Sequence, residues 1–385
     1  MTARDRARLP RALVIGPLPP PPGGVGMQVE AIVRSTLGER WRLEVFNLSK
    51  PQQEGKPSTV TPWDVLWTLW HLLALPVRLI LSRPAVALVQ STADTGFFRD
   101  LMLALECRAL GVPIVLHWHG APDSPQFPGS RGWRRSLFRF GARRAARVIV
   151  LADSYREAFA QDVGAERLRV VPNFIDGSAF AAPPRPARET VTVLFVGRIG
   201  REKGTDVLLA AVERARTHVP GLRAVLVGAG ETPAAFAKAS RHPLVREGIV
   251  TLMGPLGEER VEQYRSADLF CLPTRADSLP LSLLEAMAAG LPPVAASVGA
   301  IPWVLEGGAS GVLIPAGDAD ALAEALSRLG ADPEARAALG ERARLRQASR
   351  FDVRVAVDAL DQALRDAAGD RPLPAVSVDV ARPPR

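Results

Sequence analysis

The feature that most constrains this sequence is a regular alternation of short β-rich runs with helical stretches. In the first half, strands are predicted at residues 11–16, 41–48, 86–90, 113–117 and 147–151, with helical segments between them. Such alternation predicts parallel sheets covered by helices on both faces. A segment rich in Pro, Ala and Gly at 177–190 interrupts the pattern, which restarts at 191. We therefore predict an α/β chain with two doubly wound domains.

The predicted organisation follows from these boundaries. An N-terminal domain occupies residues 1–178, a linker 179–190 and a C-terminal domain 191–350. A helix at 351–368 is expected to pack back toward the N-terminal domain, and a Pro-containing tail at 369–385 is expected to be disordered. Ligands of doubly wound sheets bind beyond the carboxyl ends of the strands, so the predicted site is the central cleft between the domains.

Charge is distributed unevenly along the chain. The sequence has 48 Lys and Arg against 40 Asp and Glu, a formal net charge of +8. Residues 1–180 contain 23 basic and 15 acidic side chains, and the remainder contains 25 of each. The whole excess therefore lies in the first half. It indicates either an anionic partner for that half or a solvated basic face. Nucleic acid is disfavoured as this partner, because no recognised nucleic-acid-binding fold accompanies the charge.

Cysteine content and the N-terminal segment indicate the cellular compartment in which we expect the protein. Two cysteines, Cys107 and Cys271, are too few for a disulfide framework or a four-thiolate zinc site. The basic N-terminus has an apolar run too short for a signal peptide. We expect a reduced, cytoplasmic environment.

One apolar segment, residues 63–81, has the length of a membrane span. It includes Asp64, His71, Pro76 and Arg78, and charged groups at membrane depth are costly. At 100° per residue, Asp64, Thr68 and His71 fall on one narrow stripe. This favours a mostly buried helix of a soluble domain with one solvent-exposed edge. Contact with a membrane interface is the alternative.

A second segment, 131–147, contains seven arginines and no acidic residue. On a helical wheel the arginines and the apolar residues occupy different sides, as in a basic amphipathic helix. One interpretation is contact with an anionic membrane surface. The other is a helix that packs its apolar side on the domain and shows arginine to solvent. The candidate membrane contacts are Arg131, Arg134, Arg135, Arg139 and Arg143.

Two glycine-containing loops follow the first strand of each predicted domain. Residues 16–26 contain the pair Gly23-Gly24, which would let helix amides approach an anion, although a purely structural turn fits equally well. In the second domain, Arg198 and Lys203 lie five residues apart between a strand and a helix. Two cations and the helix amides could hold a pyrophosphate there. Two solvated loop charges are the alternative.

Two further strand ends carry polar side chains. Asp277 precedes a predicted helix, and Glu285 lies in an apolar part of that helix, where a carboxylate needs hydrogen-bond donors such as sugar hydroxyls or an ion-pair partner. The run His117-Trp-His119-Gly120 ends the strand that begins at Pro113. A metal site is disfavoured because no carboxylate or cysteine cluster accompanies the two histidines. A neutral imidazole that hydrogen-bonds a substrate is the preferred interpretation.

Together these motifs resemble the family 4 glycosyltransferases, over residues 11–365 approximately. The corresponding segments are Gly23-Gly24, His119-Gly120, residues 151–155, residues 171–176, the run from Val196-Gly-Arg198 to Lys203-Gly204, and Asp277 with Glu285 at the ends of a Glu-x7-Glu-like motif. The resemblance implies the GT-B fold: two Rossmann-like domains that face a central cleft. It also implies a retaining transfer from a nucleotide-diphosphate sugar without a metal cofactor. The expected acceptor is a glycan or a lipid-linked hydroxyl in envelope, exopolysaccharide or glycolipid synthesis, at the inner face of the plasma membrane.

The resemblance also implies roles for the site residues. Arg198 and Lys203 would hold the donor diphosphate, and Glu285 would bind the ribose. Asp277, with the segment Ser278, Leu279 and Leu281, would contact the transferred sugar. His119 would hydrogen-bond that sugar, and Gly23 and Gly24 would close over phosphate and acceptor. In this scheme the catalytic residues are His119, Asp277, Arg198 and Lys203.

Three positions depart from the family pattern. Asp277 stands where a longer Glu is usual, Phe174 stands where a Gly is usual, and Pro280 has no N–H to donate. Two other functions stay open on the sequence alone. One is a GT-B sugar-nucleotide-binding protein with little or no activity, and the other is a nucleotide-sugar epimerase.

Overall fold

The computed structural model describes residues 9–20, 23–50, 61–92, 96–122, 132–181 and 190–369. Within these ranges the predicted alternation of strands and helices is confirmed, and it forms two sheets of six parallel strands each. Arg131, most of the predicted linker and all but the first residue of the predicted tail lie outside the described residues.

The first sheet has the strand order β2-β1-β3-β4-β5-β6. Its four inner strands are almost entirely buried and rich in Val, Ile and Leu, as expected when helices cover both faces, whereas the two edge strands are only partly buried. The strands are β1 (Arg11–Gly16), β2 (Arg42–Asn47), β3 (Val86–Ser91), β4 (Ile114–Trp118), β5 (Arg147–Val150) and β6 (Leu168–Val170). The helices are α1 (Gly24–Arg34), α2 (Pro62–Ser82), α3 (Phe97–Ala109), α4 (Trp133–Ala142) and α5 (Asp153–Val163).

The second sheet has the order β12-β11-β10-β7-β8-β9. Its strands are β7 (Val191–Val196), β8 (Leu222–Val227), β9 (Val250–Met253), β10 (Leu269–Leu272), β11 (Pro293–Ala296) and β12 (Val312–Ile314). The helices are α6 (Thr205–Ala215), α7 (Pro233–Ser240), α8 (Pro243–Arg246), α9 (Arg260–Ser266), α10 (Leu281–Ala288), α11 (Ile301–Val304), α12 (Ala319–Ala331), α13 (Pro333–Arg350) and α14 (Val353–Ala368). Four short 3₁₀ segments lie at residues 36–39, 165–167, 177–180 and 306–308.

Helix α14 belongs to the N-terminal sheet in space although it follows the second sheet in sequence. It packs against β3, β4 and β5. The buried indole of Trp41 donates from Nε1 to Asp361 Oδ1 at 2.7 Å, and Arg169 Nη2 donates to Asp366 Oδ2 at 2.7 Å. This helix therefore ties the end of the C-terminal half to the first sheet.

Helix α2 differs from its sequence interpretation. It is 21 residues long and begins with a capping box, in which Thr61 and Asp64 each bond the other's backbone N–H. The stripe of Asp64, Thr68 and His71 points toward the protein, and His71 is only 3% exposed. The apolar side chains face outward instead. The prediction of a mostly buried helix with one wet edge was therefore wrong, because the helix is turned the other way round.

Candidate functional site

The strand order of each sheet reverses at one point, and in the second sheet three of the predicted site residues lie in the loops at that point. In the second sheet the reversal lies between β7 and β10. These two strands are parallel neighbours, and the connections that follow them lead to strands on opposite sides of the pair. A crevice opens beyond the carboxyl ends of two such strands, where ligands of doubly wound sheets bind. The loop after β7 carries Arg198 and Lys203, and the loop after β10 carries Asp277.

The two loops of this crevice are in direct contact. Lys203 Nζ donates to Asp277 Oδ2 at 2.6 Å and to the carbonyl of Ala276 at 3.3 Å. Both side chains are largely shielded, at 16% and 17% exposed, so the pair is screened less than a surface ion pair. Arg198 is 57% exposed and donates to Glu202 at 2.7 Å. Lys203 is therefore fixed in the crevice, whereas Arg198 stands at its open edge.

Backbone geometry at Gly204 keeps these loops close together. This residue caps α6 with a positive φ of 73°, which favours glycine. A Cβ built there would lie 1.9 Å from the carbonyl oxygen of Pro273, the residue that follows β10. Any larger residue would push the Lys203 loop away from the Asp277 loop.

Glu285 lies one turn into α10 and is 3% exposed. Its Oε1 accepts from Arg260 Nη2 at 2.9 Å, and its Oε2 accepts from the buried Tyr264 hydroxyl at 2.7 Å. Burial, then the adjacent Glu285 carboxylate, raises the pKa of Tyr264 well above its usual range, so the phenol stays protonated and donates. The carboxylate thus has the ion-pair partner that its apolar surroundings require.

The N-terminal domain contributes His119, directly after β4. Its Nε2 lies 2.6 Å from Gln90 Oε1 on the neighbouring strand β3, so Nε2 carries a proton and Nδ1 is the acceptor. Burial lowers the pKa of His119 to about 4, and the nearby Asn173 side chain opposes that shift only in part. The imidazole is therefore neutral at physiological pH.

The glycine pair lies at the N-terminus of α1. Gly23 is the N-cap and Gly24 is the first helical residue, and both are exposed. A Cβ built on either would meet nothing within 4 Å. The first amides of α1 are thus open to approach, which is the arrangement that favours an anion at a helix N-terminus.

Two hydrogen bonds join the N-terminal domain to the loop that bears Asp277. The hydroxyl of Tyr155 donates to the Ser278 carbonyl at 2.9 Å, and Asn173 Nδ2 donates to the Leu279 carbonyl at 2.8 Å. Leu279 is buried and Leu281 opens helix α10. The predicted sugar-contacting segment is therefore held from both sides of the cleft.

Several residues of this site were missed by sequence reasoning. They are Gln90, Asn173, Tyr155, Arg260 and Tyr264. Each acts on a predicted residue that is distant in sequence. Tyr155 and Asn173 lie in the family-like segments 151–155 and 171–176, which assigned them no role, and no local motif marks the other three. One signal was present: Tyr155 and Tyr264 are the only tyrosines in the sequence, and both donate hydrogen bonds beside the cleft.

Four of the five predicted membrane-contact arginines are among the described residues, and they lie on and just after α4. Arg135 and Arg139 bind the buried carboxylate of Asp162 at 2.7 Å each, and Arg143 Nε donates to the carbonyl of the same residue. Arg134 lies over the ring of Trp133 at 5.6 Å. Three of the five candidates therefore hold α4 to the end of α5. Arg131 lies outside the described residues.

Comparison with known proteins decides the family. Residues 22–178 match the family model described as Glycosyltransferase Family 4, and residues 190–332 match the model described as Glycosyl transferases group 1. The chain belongs to the family 4 glycosyltransferases. Every predicted site residue lies within one of the two matched segments.

Individual relatives and structures agree with this assignment. The D-inositol 3-phosphate glycosyltransferase of Saccharomonospora viridis is 34% identical over 242 residues, which are 58% of this chain and 56% of that protein. The chain thus spans about half the length of such curated relatives. A GDP-mannose-dependent phosphatidylinositol monomannoside mannosyltransferase of Mycolicibacterium smegmatis is 27% identical to this chain. The match covers 85% of this chain and 91% of that protein.

Solved structures establish the architecture of this family 4 chain. Anabaena HepE in complex with UDP-glucose superposes with a TM-score of 0.69 at 19% sequence identity, over 92% of this chain and 99% of that one. Sucrose-phosphate synthase of Thermosynechococcus elongatus superposes with a TM-score of 0.72 at 20% identity, over 91% and 98%. The predicted GT-B fold is confirmed.

Proposed function

We propose that this chain transfers a sugar from a nucleotide-diphosphate sugar to a hydroxyl acceptor with retention of anomeric configuration. The observation that carries the proposal is the Lys203–Asp277 contact across the β7/β10 switch point. It places a shielded cation and a carboxylate where ligands of doubly wound sheets bind. Family membership supports the reaction class.

The cations account for leaving-group stabilisation. Breaking the anomeric bond puts negative charge on the departing diphosphate and positive charge on the sugar carbon. Lys203, fixed in the crevice, and Arg198, at its edge, would bind that diphosphate most strongly in the transition state. With two such cations and the α6 N-terminus nearby, we propose that the transfer needs no metal ion.

The remaining residues fit the sugar and the nucleoside. In our proposal Asp277 and the backbone of Ser278, Leu279 and Leu281 contact the transferred sugar. His119, neutral and oriented by Gln90, accepts one further sugar hydrogen bond at Nδ1. Glu285 accepts two hydrogen bonds from Arg260 and one from Tyr264, and a carboxylate offers about four acceptor positions, so one ribose hydroxyl can still bind it. Gly23 and Gly24 present the α1 amides to phosphate.

Donor and acceptor classes are proposed from the relatives. One similar structure holds UDP-glucose, and one relative is named as GDP-mannose-dependent with a phosphatidylinositol mannoside acceptor. We infer an acceptor hydroxyl on a glycan or lipid-linked glycan, used in envelope, exopolysaccharide or glycolipid synthesis. The reaction would take place in the cytoplasm, at or near the inner face of the plasma membrane.

The decisive experiment is a screen of UDP-, GDP- and ADP-sugars against the full chain. Thermal stabilisation and slow donor hydrolysis should both occur with one nucleotide class, and EDTA should leave hydrolysis unchanged. Stabilisation without turnover by any donor would instead favour a binding protein. Interconversion of donor sugars without release of nucleotide would favour an epimerase. No stabilisation by any nucleoside diphosphate would refute the proposed function.

A further inference from the structure

Helix α2 presents an apolar surface to the outside of the molecule. Nine large apolar side chains on this one helix are between 49% and 75% exposed. They are Trp63, Val65, Leu66, Leu69, Trp70, Leu73, Val77, Ile80 and Leu81. Monomeric soluble domains rarely expose a contiguous apolar patch of this kind unless it binds something.

The orientation of the helix is fixed by its polar residues. His71 is held by Trp67 and Asn47, with Nδ1 2.7 Å and Nε2 3.2 Å from their carbonyl oxygens. Leu75 and Leu79 are buried below it on the same face. A rotation that hid the apolar side would expose these residues and break both histidine contacts. The outward face is therefore the stable arrangement of α2.

The neighbouring helices extend this surface. Helix α3 packs against α2 and exposes Phe98 and Met102. Phe98 stacks on Trp133 of α4, with ring centroids 5.5 Å apart, and Trp133 is 62% exposed. We call α2 together with Phe98, Met102 and Trp133 the apolar face.

The connections of α2 exclude a transmembrane path. By length and composition, α2 is the one described helix that could cross a membrane, and at about 1.5 Å per residue it is about 31 Å long. However, it joins β2 to β3, and both strands pair with β1 in the same sheet. Both ends of α2 are therefore tied to one folded domain, and the helix can only lie in the plane of a membrane interface.

Charge at the border of the apolar face favours a lipid surface over a protein partner. Helices α2, α3 and α4 each end at the amino edge of the sheet, and exposed arginines lie at those three ends: Arg83, Arg108, Arg143 and Arg144. Exposed tryptophans on an apolar face with cations at one of its edges are typical of surfaces that contact the headgroup region of a bilayer. An apolar dimer interface would gain nothing from this cationic border.

We propose that the apolar face docks onto an anionic lipid bilayer, with the axis of α2 parallel to the membrane and the border arginines on the headgroups. The first residue of α2 lies at the carboxyl edge of the sheet, the edge that borders the catalytic cleft. Docking would therefore bring the cleft close to a lipid-borne acceptor. This extension rests on the proposed function, whereas the docking itself does not.

The test compares three full-length proteins in vesicle co-sedimentation. One carries Leu66→Gln, Leu73→Gln and Val77→Gln on α2. The matched control carries Leu345→Gln and Val355→Gln, which replace exposed apolar residues of α13 and α14. On vesicles of phosphatidylglycerol and phosphatidylcholine, we expect the α2 variant to bind at least tenfold more weakly than the wild type and the control to bind as the wild type does. Equal binding by the α2 variant, or equal loss in the control, would overturn the proposal.

Three further measurements separate the alternatives. Thermal melts should be similar for all three proteins, because the replaced side chains face solvent. Vesicle binding should weaken in high salt, which screens the border arginines, and on pure phosphatidylcholine, which has no net negative charge. A concentration-dependent dimer that the α2 substitutions abolish, without vesicle binding, would assign the face to a second copy and overturn the proposal. Lys203→Ala should lower donor hydrolysis about a hundredfold or more yet leave vesicle binding unchanged, so that failure of docking and failure of the proposed function are distinguishable.

Discussion

Lys203 Nζ lies 2.6 Å from Asp277 Oδ2, and this contact joins the loops that follow two neighbouring parallel strands. The sequence separates the two residues by 74 positions. Because the lysine is paired within the crevice, its charge is positioned before any donor arrives. The cost of ordering a long side chain is thus met during folding instead of during catalysis.

Loss of either member of this pair should impair transfer differently. Lys203→Ala should lower kcat/KM for the nucleotide sugar by about 10²- to 10³-fold, since it removes a cation that faces developing charge. Asp277→Asn should have a smaller effect on nucleoside diphosphate affinity than on kcat, because its proposed contact is with the sugar. Isothermal titration with the free nucleoside diphosphate measures the affinity, and steady-state kinetics with the nucleotide sugar measure kcat and kcat/KM. Equal loss of diphosphate affinity in the two variants would contradict this division of roles.

Glu285 can be tested for ribose binding apart from its structural role. Glu285→Gln removes the paired counter-charge of the partly buried Arg260, so we expect it to destabilise the fold by about 3 kcal/mol. If the carboxylate also binds ribose, the wild type should prefer a ribose donor to its 2′-deoxyribose analogue, and the variant should lose that preference. Melting temperatures report the first effect and competition binding the second. If the variant still prefers the ribose donor, Glu285 does not bind ribose, and its only role is the ion pair with Arg260.

Gln90 is predicted to position His119. Gln90→Leu removes the acceptor for His119 Nε2 but fills a similar volume in the buried site. We expect kcat to fall about tenfold with little change in nucleoside diphosphate affinity, since the residue acts through the imidazole and not on the nucleotide. Gln90→Glu, which keeps the acceptor, should restore part of kcat and move the acidic limb of the pH profile upward by raising the pKa of His119. An unshifted limb in Gln90→Glu would show that the residue only fills space.

Burial of His119 predicts a pH dependence of stability. Its pKa is lowered from 6.5 to about 4 in the fold, so between these pH values the unfolded chain binds more protons than the folded one. Stability should therefore fall as the pH falls from about 7 to 4, with a contribution from this residue on the order of 3 kcal/mol. His117, whose pKa is also lowered by burial and by His119, adds in the same direction.

The matched experiment is chemical denaturation of the wild type and His119→Gln at several pH values in that window. The free energy of unfolding should decrease less in the variant than in the wild type, because one group that resists protonation has been removed. Parallel curves for the two proteins would mean that His119 does not titrate abnormally.

Local pattern was sufficient for the architecture and for the strand-end motifs. The alternation of elements predicted two doubly wound domains, and their connectivity implies that Arg198, Lys203 and Asp277 follow strands of the same sheet. These properties depend on residues close together in the chain, and so a sequence carries them directly. Even the placement of His119 after a buried strand follows from the run at 113–117.

Only the tertiary structure decided what these residues touch and which way α2 faces. Gln90 meets His119 because β3 and β4 are neighbours, and Arg260 meets Glu285 because α9 and α10 both pack against the 3₁₀ segment at 177–180. Helical periodicity groups Asp64, Thr68 and His71 on one face, but it does not say whether that face points inward. The answer came from carbonyl partners such as Asn47, which lie elsewhere in the chain. Pairings of this kind depend on packing between distant segments, so no local pattern specifies them.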